Sequence, residues 1–190
     1  MLNIILFGPP GAGKGTQSEK IIQEFNLFHI STGNILREEV KQQTQLGLAA
    51  KAVMDAGKLV SDDIILVMVE NVIQKNKNSV KGFIFDGFPR TVPQADGLMQ
   101  LLQKMGLTLS GVVSLTVDEP ELIQRLLKRA QESGRSDDTE EVIKKRQEVY
   151  RNETAPLLNY YETKKLLHSV NGMGSIDEIY NNIKEILKKL

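Results

Sequence analysis

The sequence predicts an α/β domain whose parallel sheet is covered by helices on both faces, and three observations predict it. Short runs rich in β-branched and aromatic residues alternate with longer stretches of helical periodicity. The short runs are apolar at successive positions rather than at every second one, as strands buried on both faces require. The order strand, helix, strand persists along most of the chain, which joins parallel neighbours through crossover helices.

Leu2–Phe7 is the first strand, and it breaks at Gly8-Pro9-Pro10. A helix at about Thr16–Phe25 and a short strand near Phe28–Ile30 follow. Residues 31–60 are helical in pattern but fall outside the alternation, so they read as inserted helices. The pattern then resumes with a helix at Asp62–Gln74, a strand at Phe83–Asp86, a helix at Pro93–Met105, a strand at Val112–Val117 and a helix at Glu121–Glu132. The polar stretch Gln131–Asp138 carries Gly134 at its middle and leads into a helix at about Asp138–Tyr150. Leu166–Val170 is the fifth strand. Ser175-Ile176-Asp177-Glu178 is a capping box, and Ile176, Ile179, Tyr180, Ile183, Ile186, Leu187 and Leu190 then fall on one helical face.

Composition narrows the function classes. At 190 residues the chain makes one domain with room for an insertion. Lys+Arg 24 balances Asp+Glu 24, so no basic excess argues for nucleic acid. Zero cysteines exclude a disulfide framework, thiol catalysis and cysteine-ligated zinc. The N-terminus has no basic stretch before its apolar run, and no run is long enough to span a membrane, so a cytoplasmic protein is expected.

Gly8-Pro-Pro-Gly11-Ala12-Gly13-Lys14-Gly15-Thr16 follows an apolar strand and opens a helix. This is the setting of a phosphate-binding loop: glycines let backbone N–H groups converge on phosphate oxygens, the helix N-terminus adds its dipole, and Lys14 adds a charge. Gly15 intervenes before the hydroxyl residue Thr16. The motif makes the expected fold a P-loop NTPase-like five-stranded parallel sheet. Asp86, at the end of a buried strand, is placed to hold Mg²⁺ or its waters beside such a loop. Val117-Asp118 is a weaker candidate of the same kind.

With Gly8–Gln17 stand His29-Ile-Ser-Thr32-Gly33-Asn34-Ile-Leu-Arg37, Gly57-Lys58-Leu59-Val60, Asp86-Gly87-Phe88-Pro89-Arg90-Thr91 with Gln94, and Arg129, Ser133-Gly134-Arg135, Asp137-Asp138 and Arg146. Together and in this order they resemble the adenylate kinase family over nearly the whole chain. The resemblance implies MgATP + AMP ⇌ 2 ADP, on a core of residues 1–30, 61–127 and 139–190 with a nucleoside-monophosphate insertion at 31–60 and a short lid at 128–138. It implies that Gly11, Ala12, Gly13, Lys14, Gly15, Thr16, Arg129 and Gly174 contact ATP. Thr32, Arg37, Lys58, Leu59, Val60, Gly87, Phe88, Pro89, Arg90 and Gln94 would hold AMP, with Arg135 and Arg146 gripping phosphates of both substrates. Asp86 would orient Mg²⁺ through water. Asn34 departs from the resemblance, where Asp is usual; its amide can still cap a helix but carries no charge. A chain this short and without cysteine matches the short-lid variety, so no zinc is expected, only the Mg²⁺ that accompanies ATP. A monomer is the family expectation.

The chemistry agrees with the residue types. Phosphoryl transfer needs positioning and charge stabilisation, which arginine supplies through a planar fork that stays protonated. Five of the seven arginines fall on these motifs, leaving Arg125 and Arg151 as surface charges. Lys14, Arg90, Arg129, Arg135 and Arg146 are the expected catalytic charges. The AMP phosphate is already anionic, so no general base is needed, and His29 and His168 are assigned structural places. Two other readings compete. A pyrimidine (UMP or CMP) kinase shares the loop and arginines, but its relatives usually carry Ala at the Thr32 position and lack the Thr91-x-Pro93-Gln94 pattern. A nucleotide-gated switch would need no AMP pocket.

Overall fold

The computed structural model describes residues 1–133 and 139–190. Its centre is β1 (Leu2–Phe7), flanked by β3 (Gly82–Asp86) and β4 (Gly111–Thr116). β2 (Phe28–Ser31) lies outside β3 and β5 (Leu167–Asn171) outside β4, so the order is β2-β3-β1-β4-β5 with every pairing parallel. The five strands expected from sequence are all present.

Successive residues of each strand enter opposite cores, which is why the strands read as unbroken apolar runs. Ile5, Phe7, Phe83, Phe85 and Val112 pack into one cluster beneath α4 (Asp62–Asn76), α5 (Val92–Lys104) and α8 (Pro156–Thr163). Ile4, Leu6, Ile84, Val113 and Val170 pack into the other, under α1 (Lys14–Phe25) and α9 (Ile176–Leu187). Asn3 is a polar residue inside β1, and it is satisfied: its amide donates to the Thr108 carbonyl at 2.9 Å and accepts from the Phe83 N–H at 3.2 Å. At α9 the predicted capping box is present, with Ser175 and Glu178 bonding each other's backbone.

The insertion consists of α2 (Thr32–Lys41) and α3 (Gln45–Asp55), capped by the hydroxyls of Ser31 and Thr44. Asn34 therefore does not cap α2; its own N–H donates to Ser31 Oγ at 3.4 Å. α6 (Glu119–Ser133) is longer than its sequence pattern suggested, and residues 128–133, assigned to the lid, continue this helix. The rest of the segment expected to form a lid, 134–138, lies outside the described residues, and Arg135, Asp137 and Asp138 with it.

The pattern read as one helix ending at Tyr150 resolves into α7 (Glu140–Val149), a wider π turn at Tyr150–Thr154, and α8. In the π turn the Ala155 N–H reaches back five residues to the Tyr150 carbonyl at 2.7 Å. That extra residue throws the apolar faces of α7 and α8 out of phase, so the single 3.6-residue pattern sought in the sequence stops at Tyr150 and α8 goes unread. None of the described helices is long and apolar enough to cross a membrane.

Candidate functional site

Parallel pairing brings the carboxyl ends of all five strands to one edge of the sheet, the edge where open α/β sheets hold their ligands. β1 delivers the phosphate loop there, β2 delivers α2, and β3 delivers Asp86 and the Gly87–Arg90 segment, with Leu6, Ser31 and Asp86 in register across the three strands. β4 and β5 deliver α6 and the Gly174 turn.

Close packing shapes the loop. Gly11 has φ +89°, and a Cβ there would lie 2.7 Å from the Leu122 carbonyl oxygen, so only glycine fits against α6. Lys14 Nζ donates to the Gly8 and Pro9 carbonyls at 2.7 and 3.0 Å. α1 starts behind Gly13 with no side-chain cap and no acid in its first turn, whereas hydroxyls cap α2, α3, α5, α7 and α9. Its first N–H groups therefore lack the side-chain acceptor that those helices carry, an opening of the kind that accepts a phosphate.

The electrostatics are those of an anion site. Burial lowers the Lys14 pKa to about 8, and the charges of Arg90, Arg146 and Arg129 lower it while Asp86 opposes them. For Asp86, burial alone would raise the pKa, but His29, Lys14 and Arg90 together hold it below the ordinary carboxylate value, so it stays ionised. His29 Nε2 approaches Asp86 Oδ2 at 3.5 Å and has no closer partner among the described residues.

A cleft of about 810 Å³ runs along this edge, in the upper range of ligand pockets. Gly11, Ala12, Gly13, Lys14, Gly15, Thr16, Arg129 and Gly174 line it toward the loop, and Asp86, Gly87, Phe88, Pro89, Arg90 and Arg146 line its middle. Arg37 and Leu59 carry it to the insertion, where a side pocket adds Thr32, Lys58, Val60 and Gln94. All the candidate site residues outside 134–138 thus line one or the other of two neighbouring cavities, which share Arg37, Leu59, Gly87, Arg90 and Arg146 as walls. Phe88 and Ala12 are buried in the core, so their backbones are what they offer.

Gly87 has φ +72°, and its carbonyl accepts from Thr32 Oγ1 at 2.9 Å and from Arg90 Nε at 2.7 Å. The two side chains thus share this carbonyl as an acceptor. Arg37 Nη2 donates to Asn34 Oδ1 at 2.6 Å, so the residue that departs from the resemblance still bonds that guanidinium.

Among the cleft-lining residues given no individual role from the sequence, three more side chains are notable. Arg125, read as a surface charge, bonds Glu121 at 2.7 Å and the Gly172 carbonyl at 3.1 Å and stands beside Gly13. Its spacing of four from Arg129 puts both on one face of α6, a signal the sequence did contain. Gln17 donates to the Ile176 carbonyl at 3.0 Å, tying α1 to the start of α9. Tyr150, in the π turn, is the third. Asp118, the weaker metal candidate, is exposed and does not line the cleft, and His168 sits within β5 away from it.

Comparison with known proteins is consistent across the chain. The adenylate kinase family model matches residues 6–166. A protein named adenylate kinase from Parabacteroides distasonis is 50% identical over 190 residues, covering the whole of both chains. Those of Bacteroides thetaiotaomicron and Porphyromonas gingivalis are 47% and 49% identical, covering all of this chain and 100% and 97% of theirs.

Proposed function

The chain belongs to the adenylate kinase family and is an ATP:AMP phosphotransferase, catalysing ATP + AMP ⇌ 2 ADP, and from that premise we propose how its residues share the work. ATP lies with its phosphates on Gly11–Thr16 and its base toward Arg125 and Gly174. AMP lies under α2 and α3, its base in the side pocket and its phosphate toward Arg37 and Arg90. The observation that carries this arrangement is the adjacency of two cavities, one on the phosphate loop and one beside the insertion, with Arg37, Arg90 and Arg146 lining both.

An AMP phosphate oxygen attacks the γ-phosphorus as the bond to the β-phosphate bridging oxygen breaks, and charge spreads over the equatorial oxygens. Lys14, Arg90, Arg129 and Arg146 stabilise that charge, joined by Arg135 when the lid closes. Asp86 fits a hydrated Mg²⁺: it is an ionised hard oxygen donor facing the loop, and it would hold the ion of MgATP through water. Zinc has no cysteine to bind. Residues 31–60 and 128–138 act as the closing elements, excluding water so that the γ-phosphoryl group reaches AMP. The enzyme works as a cytoplasmic monomer without nucleic acid or membrane partners.

The pyrimidine-kinase and switch readings are not favoured, because relatives matched over their full length carry the name adenylate kinase. A coupled assay of ADP formation tests the reading. ATP with AMP gives turnover, while ATP alone, ATP with CMP and ATP with UMP give little. Turnover without AMP would overturn it.

A further inference from the structure

We infer that Asp62 is a positioning residue that sets base selectivity at the AMP pocket by fixing which way the Gln94 amide faces. The inference rests on the AMP-pocket reading above and adds to it the discrimination of 6-aminopurine from 6-oxopurine nucleotides.

Gln94 is 2% exposed at the first turn of α5 and lines the side pocket. A glutamine amide is ambiguous in isolation, because its oxygen and nitrogen are nearly the same shape and either orientation fits the same space. Here the two neighbours remove the ambiguity. The backbone N–H of Arg90 is a donor only, and Gln94 Oε1 accepts from it at 2.7 Å. The Asp62 carboxylate, when ionised, is an acceptor only, and Gln94 Nε2 donates to Oδ1 at 2.7 Å. Turning the amide over would set donor against donor at Arg90 and acceptor against acceptor at Asp62. In this buried setting each mismatch is strongly unfavourable.

Asp62 is itself held. Thr91 Oγ1 donates to its Oδ2 at 3.2 Å and accepts from the Gln94 N–H at 3.2 Å, so the start of α4 and the start of α5 form one network. Asp62 is also the residue two past the end of the insertion, which puts the base-reading amide under the control of the junction between insertion and core.

The pinned amide has one N–H and one lone pair left. Adenine offers an N–H donor on its 6-amino group beside a ring-nitrogen acceptor, which matches that remaining pair. Hypoxanthine and guanine offer the reverse, a 6-oxo acceptor beside an N–H donor. They demand the turned amide, and Asp62 and the Arg90 N–H forbid it. Specificity then arises less from the contact made with AMP than from the mismatch imposed on its competitors.

The test is the ratio of kcat/KM for AMP to that for IMP, nucleotides that share ribose and phosphate, measured by ADP formation from ATP for wild type, Asp62→Asn and Asp62→Ala. Wild type should prefer AMP by about a hundredfold or more, and both variants should lower the ratio about tenfold. Asp62→Asn keeps the volume and the helix start, so it carries the test if the alanine variant folds poorly. In a Gln94→Leu background, adding Asp62→Asn should change the ratio no further, since Asp62 acts through Gln94. Equal losses for AMP and IMP, with the ratio held, would reduce Asp62 to a helix-start residue and overturn the inference. So would a wild type that uses IMP as well as AMP. A wild type with no AMP-dependent turnover at all would instead remove the kinase reading itself, and the two failures are thereby distinguished.

Discussion

Lys14 holds its ammonium against the Gly8 and Pro9 carbonyls of its own loop, where burial and the neighbouring arginines lower its pKa to about 8. Below that pH it is charged and ready for phosphate; above it the free enzyme loses the charge. ATP affinity, measured by calorimetry, should therefore be level below about pH 8 and weaken as pH rises through it, while the bound complex, with phosphates beside Lys14, stays protonated to higher pH. Lys14→Arg, charged at every working pH, should lose that limb. The stability effect has its own sign. The folded Lys14 sheds its proton more readily than the unfolded chain, so its burial costs stability below about pH 8, and the cost fades as pH rises toward 10.5. Lys14→Met should abolish turnover more completely than it weakens ATP binding. Arg90→Ala should reduce kcat by about 10²–10³-fold, as loss of a preorganised charge stabiliser does, while circular dichroism and the melting transition show a folded protein.

At the scale of elements, α7 is fastened to the phosphate loop by a residue that no motif marked. Gln147, 4% exposed, donates from Nε2 to the Pro10 carbonyl at 3.0 Å, one position beyond Arg146. Gln147→Leu should leave that carbonyl unpaired at a cost of about 1 kcal/mol in a denaturant melt. It should also lower kcat about tenfold with little change in the KM for ATP, because Arg146 is then displaced from the transferring group. α1 shows the opposite relation between sequence and element. Its glycine-rich, phosphate-binding start was readable directly, since backbone freedom at a helix N-terminus is a property of local chemistry. α8 was not readable, because the π turn before it shifts the phase on which pattern recognition depends. Gln94 lies between these cases: its residue type pointed to a base edge, but the direction of its amide depends on Asp62, thirty-two residues away in the chain.

For the whole molecule, a formal net charge of +0 is an average over an uneven surface. Lys14, Arg37, Arg90, Arg125, Lys128, Arg129 and Arg146 line the cleft against Glu19, Asp86 and Glu132, so among the described residues its lining is cationic. Raising ionic strength from about 0.05 to about 0.5 M should raise the KM for both nucleotides severalfold and change kcat less, because screening weakens attraction from solution more than contacts inside a closed site. The sequence by itself determined the parallel α/β architecture, the phosphate loop and the set of arginines. These depend on local periodicity, backbone freedom and residue chemistry, which neighbours in the chain are enough to express. Tertiary structure decided that Arg125 faces the cleft, that Gln147 anchors α7, that Ser31 rather than Asn34 caps α2, and that Asp62 orients Gln94. Each of these is a partnership between groups that can bond in more than one way, and only the packed chain selects the partner.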